Sequence, residues 1–239
     1  MTSQWFESYF NEDYYRADRH EDTDLEVEGI SLLLGPPKDT TVLDLGCGYG
    51  RHSLKLAELG YRMVGYDLSP ILLRRAAGGN PNIGWIRGDV RSLPFRNKFD
   101  GMISMFNAFG YFEDESDNYI VLQEVEAVLR PGGRLIVQLV NRDFLVRKFV
   151  EEEIRREDGL LVLEERAFDA VSSRVLTVTT VIEGTKQRRY ESSIRVYTLS
   201  ELDMLMSAAG LKIREVYGGL DQRPFDWDTN QLIIIAEKP

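Results

Sequence analysis

Three aspartates stand where apolar, β-prone runs end. Asp44 lies in Thr41-Val-Leu-Asp-Leu45, Asp67 follows Tyr61-Arg-Met-Val-Gly-Tyr66, and Asp89 follows Ile83 to Ile86 in Gly88-Asp-Val90. Between the first two come Gly46, Gly48 and Gly50 at alternate positions, then a helical pattern from Arg51 to Leu59. Such glycines clear side chains from a turn where a ligand meets a helix N-terminus. A dinucleotide loop spaces its glycines as Gly-x-Gly-x-x-Gly to admit a pyrophosphate. Here the spacing is Gly-x-Gly-x-Gly, with an acid two residues ahead. A carboxylate so placed opposes a pyrophosphate and suits ammonium or sulfonium charge, which points from a nicotinamide cofactor towards S-adenosylmethionine. Asp67 can accept both ribose hydroxyls of an adenosine, or assist the helix cap at Ser69. Asp89 can accept from an adenine amino group with Val90 against the ring, or serve as an ordinary turn residue.

The elements that must position these acids follow a regular rhythm. Residues 4–34 read as helical, rich in Trp5, Phe6, Tyr9, Phe10, Tyr14 and Tyr15, and end at Gly35-Pro36-Pro37. Strands at 41–45, 61–66, 83–86, 99–105 and 134–140 alternate with helices at 51–59, from Ser69-Pro70 onward, and at 116–129. The near-continuous apolar run of Arg134 to Val140 suits a central parallel strand. This alternation calls for a doubly wound α/β sheet with helices on both faces. After 143–158, read as a charged helix, residues Leu160 to Tyr197 alternate with period two and predict two or three antiparallel strands. A helix over 200–210 and strands over 211–217 and 231–237 close the chain. The expected organisation is one domain: an N-terminal helical lid (1–37), a cofactor-binding core (38–142), an inserted substrate cap (143–197) and a C-terminal core (198–239).

At 239 residues, with 43% hydrophobic and 28% charged residues, the chain can bury a substantial core. A net charge of -10 argues against a nucleic-acid partner, which needs clustered Lys and Arg. One cysteine, Cys47, excludes an internal disulfide and fits a reducing cytoplasm. Two histidines distant in sequence and that single thiol build no typical transition-metal centre, so no metal is expected. No signal peptide and no run long enough to span a bilayer is evident, so no membrane partner is expected.

Val42-Leu-Asp-Leu-Gly-Cys-Gly-Tyr-Gly-Arg51, Val64-Gly-Tyr-Asp-Leu-Ser69, Gly88-Asp-Val-Arg-Ser-Leu-Pro94 and Leu129-Arg-Pro-Gly-Gly-Arg-Leu135 resemble successive motifs of the class I S-adenosylmethionine-dependent methyltransferases, of the small-molecule type. The resemblance covers residues 40–140 strongly and 197–238 more loosely. It implies a Rossmann-like seven-stranded sheet of order 3-2-1-4-5-7-6, the last strand antiparallel, with an antiparallel β insertion. It also implies S-adenosylmethionine as cofactor, with Gly46, Cys47 and Gly48 facing the methionine moiety and Asp44 near its ammonium. Asp67 with Leu68 would take the ribose, Asp89 with Val90 the adenine, and Met105 would line the floor. Tyr14, Tyr15 and Arg19 would form a lid over the methionine end, unless they only pack a helix.

The expected reaction is methyl transfer to an O, N or C atom of a small-molecule acceptor. A noncatalytic cofactor-binding regulatory subunit and, more remotely, a nicotinamide-dependent oxidoreductase are the alternatives. Asn107-Ala-Phe-Gly110 lacks the prolines that amino-methylating nucleic-acid enzymes of this fold carry after their fourth strand. Asn107, Tyr111 and the insertion are expected to line the acceptor pocket, and Arg195 can meet an acceptor carboxylate. His52 can act as a base or pack beside the cofactor. Cys47 reads as a packing residue rather than a nucleophile. In-line displacement at a sulfonium gains mostly from positioning, so a strong base is not required.

Overall fold

The computed structural model describes residues 4–18, 20 and 22–239. Seven strands form the main sheet: β1 (Thr41–Leu45), β2 (Arg62–Asp67), β3 (Gly84–Arg87), β4 (Phe99–Ser104), β5 (Leu129–Val140), β10 (Lys212–Tyr217) and β11 (Gln231–Glu237). Their spatial order is β3-β2-β1-β4-β5-β11-β10, and only β11 runs against its neighbours. This is the expected 3-2-1-4-5-7-6 order. Side chains alternate between two apolar layers as a pleated strand requires. Leu43, Met102, Leu135, Val137 and Ile234 face one layer, with Val121, Leu122 and Val125 of α6 (Glu115–Val128) and Leu202 and Met206 of α8 (Leu199–Ala208). Val42, Ile103, Ile136, Ile233 and Ile235 face the other, with Ile30 and Leu33 of α3 (Thr23–Leu34) and Leu56 of α4 (Arg51–Glu58).

Local chemistry sets the boundaries beside the site. α4 starts directly after Gly50, whose left-handed backbone (φ 79°) turns the chain out of β1. A Cβ there would lie 2.4 Å from the Trp85 ring, so only glycine fits. Ser69 caps α5 (Pro70–Gly79), its hydroxyl accepting from the Leu72 amide at 3.2 Å, with Pro70 in the first turn.

Two readings are corrected. Residues 4–34 are not one helix but α1 (Trp5–Tyr9), α2 (Glu12–Ala17) and α3. Asn11 ends the first by capping the second, its side chain accepting from the amides of Asp13 (2.8 Å) and Tyr14 (3.1 Å). Residues 143–158 are not one charged helix. α7 (Arg142–Arg147) ends early, and Glu152–Glu157 is β6, the edge of a four-stranded antiparallel sheet with β7 (Leu160–Asp169), β8 (Arg174–Glu183) and β9 (Lys186–Arg195). Backbone pairing to β7 and ion pairs of Arg155 with Glu164 and Arg166 with Glu153 overcome the weak strand propensity of the acidic run.

The N-terminal helices lie against this second sheet. Asp13 is buried and accepts from Arg188 Nη2 (2.8 Å) and the Tyr190 hydroxyl (2.7 Å). Arg16 meets Asp158 and Glu183, each at 2.8 Å. Among the described residues, no helix is long and apolar enough to cross a membrane.

Candidate active site

A cavity of about 1110 Å³, counting its open mouth, lies over the carboxyl ends of β1, β2 and β4 and under α1 and α2. The position follows from topology. β1 lies between β2 and β4, so chain connections leave it in opposite directions and open a crevice at its carboxyl end.

The floor is the glycine turn. Gly46, Gly48 and Gly50 all have positive φ (74°, 55° and 79°), and a Cβ on Gly46 would press to 2.9 Å from Ala108. The amides of Gly46 and Cys47 donate to the Tyr66 carbonyl (2.8 and 3.2 Å), which locks the turn to the end of β2. Asp67 is held by the amides of Gly48 on Oδ2 (2.8 Å) and Ser69 on Oδ1 (2.7 Å). Each oxygen thus keeps a lone pair for one hydroxyl of a vicinal diol. Burial raises the Asp67 carboxyl above its ordinary range, and the two amides oppose that rise.

Asp44 is fully enclosed. Burial raises its carboxyl, while His52, the Ser53 hydroxyl and Arg51 pull the other way. Ser53 Oγ donates to it at 2.6 Å. A buried carboxylate beside an open turn attracts a cationic ligand. The thiol of Cys47 is pushed well up by burial and by Asp44 and Asp67, which makes it unreactive.

Asp89 borders the far end of the cavity, with Val90 and Leu68. Burial alone would raise its carboxyl, but the Arg91 guanidinium, bound to both oxygens, holds it below the usual range. Arg91 also reaches Asp117 at 2.6 Å. The roof is aromatic: Phe6, Phe10 and Tyr14 from the N-terminal helices meet Tyr111 and Phe112 from the loop after β4. Burial raises the hydroxyls of Tyr14 and Tyr111, so both stay protonated at neutral pH and act as donors rather than bases.

The cavity therefore brings together Tyr14, Asp44, Gly46, Cys47, Gly48, His52, Asp67, Leu68, Asp89, Val90, Met105 and Tyr111. Asn107 does not join them. Its Oδ1 accepts from the Val140 amide at 2.6 Å and its own amide donates to the Gln138 carbonyl, so it ties the ends of β4 and β5. Arg195 is also engaged elsewhere, with Glu201 (2.6 Å) and the Val196 carbonyl (2.7 Å). Tyr15 packs edge-on against Tyr49 outside the cavity. Arg19 lies outside the described residues.

Sequence reasoning missed a polar corner around Phe106. Arg51 lies over the Phe106 ring at 4.2 Å, and the two histidines approach the same ring, His20 at 4.3 Å and His52 at 6.1 Å. His52 Nε2 is 3.1 Å from Glu26, which also pairs with Arg51. Burial would raise Glu26, but these two partners lower its carboxyl to about 2. His20 Nε2 is 2.8 Å from Asp18. Asp18 lies two residues from His20, but no spacing in the sequence connects Glu26 to His52 or brings His20 to Phe106, since these approaches form only when α3 and the segment after α2 fold over the turn.

Residues 42–133 match the family described as a methyltransferase domain. The chain is 26% identical over 210 residues to the cypemycin N-terminal methyltransferase of a Streptomyces species, covering 85% of each. It is 25% identical to the dTDP-3-amino-3,4,6-trideoxy-alpha-D-glucopyranose N,N-dimethyltransferase of Streptomyces venezuelae, over 87% of this chain and 91% of that one. Among solved structures, the CcbJ methyltransferase from Streptomyces caelestis superposes with a TM-score of 0.82 over 95% of each chain at 22% identity. Fold and site thus define a methyltransferase of the Rossmann-like kind. Through residues 42–133 the chain is similar to that methyltransferase family, and the comparisons support S-adenosylmethionine as its cofactor.

The residues present fit that cofactor. The glycine turn would take the methionine portion, buried Asp44 would complement its positive charge, and Asp67 would offer two acceptors to the ribose.

Proposed function

We propose that this enzyme moves the methyl group to an amine nitrogen of a small molecule. The observation that carries the reading is the site itself: a glycine turn with buried Asp44 and Asp67, beside an acceptor space with an aromatic roof and carboxylates at one corner. Carboxylates and ring faces together favour an ammonium-bearing acceptor. The N-terminal amine and amino-sugar specificities of the two relatives support the same atom. The sulfonium supplies an activated methyl, and the chain's task is to hold an uncharged amine in line with it while excluding water. The α1 and α2 helices serve as the substrate cap, with the four-stranded sheet behind them contributing no residue to the cavity lining, contrary to the expectation for the insertion, and Tyr14 and Tyr111 orient the acceptor. Asn107 positions the loop after β4 rather than the acceptor, and His52 holds Glu26. The protein acts in the reducing cytoplasm, in keeping with its lone buried thiol, and its charge of -10 disfavours nucleic acid as acceptor.

A screen for S-adenosylhomocysteine release tests this, with amino sugars and short peptides set against their hydroxyl counterparts. Release is expected only with acceptors that carry a free amine. Equal release with the hydroxyl set would overturn the choice of nitrogen.

A further inference from the structure

The corner around Phe106 holds a feature that the cofactor does not need. His20 Nε2 faces Asp18 Oδ1 at 2.8 Å, both residues border the cavity, and both side chains are largely buried (15% and 18% exposed). A carboxylate only accepts, so a ring that donates to Asp18 through Nε2 has Nδ1 as its acceptor. The Phe106 ring, edge-on at 4.3 Å, limits the tilt of the imidazole. We propose that His20, held by Asp18, is the general base that prepares the acceptor amine; this rests on the amine reading above.

Three comparisons favour His20 over the other bases. His52 Nε2 is already engaged by Glu26, which is shared with the Arg51 guanidinium. Among the described residues, Asp18 meets only His20 and the Tyr49 hydroxyl. Tyr14 and Tyr111 are held protonated by burial. Among the described residues, the charged and titratable groups around His20 are Asp18 and Tyr49 on one side and Arg51, His52 and Glu26 on the other.

The acceptor ammonium gives a proton to Nδ1 and becomes a neutral amine with a free electron pair. That pair forms the new N–C bond as the S–C bond breaks, and the S–C electron pair stays on sulfur to give a thioether. The product leaves as a methylated ammonium, and His20 returns its proton to water.

The test uses the full chain with an accepted amine, measuring kcat from pH 6 to pH 10 for wild type and for His20→Gln, with S-adenosylhomocysteine affinity by calorimetry. Positioned bases contribute about 10²–10⁴-fold, so at neutral pH His20→Gln should lose at least ~100-fold in kcat. Affinity for S-adenosylhomocysteine should stay within about twofold, and the deficit should shrink as pH approaches the amine's own pKa. If His20→Gln no longer binds S-adenosylhomocysteine, Asp18→Asn carries the test, with a smaller loss of the same pH dependence expected. A variant that matches wild type at every pH while wild type methylates amines would overturn the base and leave the amine reading intact. A wild type that methylates hydroxyls but no amine would overturn both.

Discussion

At the scale of single residues, the proposed binding of a cationic adenosyl group rests on Asp67 and Asp44. Asp67 is pre-oriented by two backbone amides, so its free lone pairs are aimed before the ligand arrives. Hydrogen bonds to charged groups contribute about 1.5–3 kcal/mol, so Asp67→Ala should weaken S-adenosylhomocysteine binding roughly 10- to 100-fold in a calorimetric titration. An unchanged affinity would remove it from the ribose site. Glu26 makes a prediction of opposite kind, about stability. Its carboxyl sits near 2 in the folded protein against 4.5 ordinarily, so it stabilises the fold at neutral pH and loses that effect as pH falls through this range. Glu26→Gln should cost about 2 kcal/mol at pH 7, after allowance for solvent screening. In urea melts the gap between variant and wild type should narrow steadily from pH 5 to pH 2.

At the scale of elements, the site depends on two connections that no local pattern announces. Asn107 holds a left-handed backbone (φ 57°) and accepts from the Val140 amide, which fixes where the chain leaves β4. Asn107→Ala removes the acceptor and disfavours that backbone, and should destabilise by about 1–3 kcal/mol. Asn107→Asp retains both features and should remain near wild type in thermal melts. The second connection joins the inserted sheet to the cavity wall. Arg174 at the start of β8 is buried and donates to the carbonyls of Phe112 (3.1 Å) and Ser193 (3.0 Å) and the hydroxyl of Ser193 (2.8 Å). Arg174→Leu leaves those carbonyls unsatisfied and should cost about 2–4 kcal/mol. Because residues 110–112 carry Tyr111, KM for the acceptor should rise while cofactor affinity changes little.

At the scale of the whole molecule, the two apolar layers and the strand order were readable because the core strands are continuous apolar runs joined by short connections. Asp44, the glycine turn, Asp67 and Asp89 were readable because each lies within a few residues of a strand end, and topology places all strand ends on one edge. What escaped the sequence is whatever depends on distant packing. Glu152–Glu157 reads as a helix because acids and arginines favour helices, yet its partner is a strand it meets only in the folded sheet. Asn107 reads as an acceptor contact because it follows β4, yet the Val140 amide lies closer than the cavity. The His52–Glu26 pair joins α4 to α3, and the approach of both histidines to Phe106 forms only in the folded chain.

The central claim joins these scales: the turn seats S-adenosylmethionine, and its methyl passes to an amine nitrogen held beneath the aromatic roof. The most direct measurement is mass spectrometry of acceptors incubated with the enzyme and S-adenosylmethionine deuterated in its methyl group. The label should appear on nitrogen, in step with S-adenosylhomocysteine, and should vanish with Asp67→Ala at limiting cofactor. Label found on oxygen or carbon, or cofactor bound with no transfer to any amine, would contradict the account.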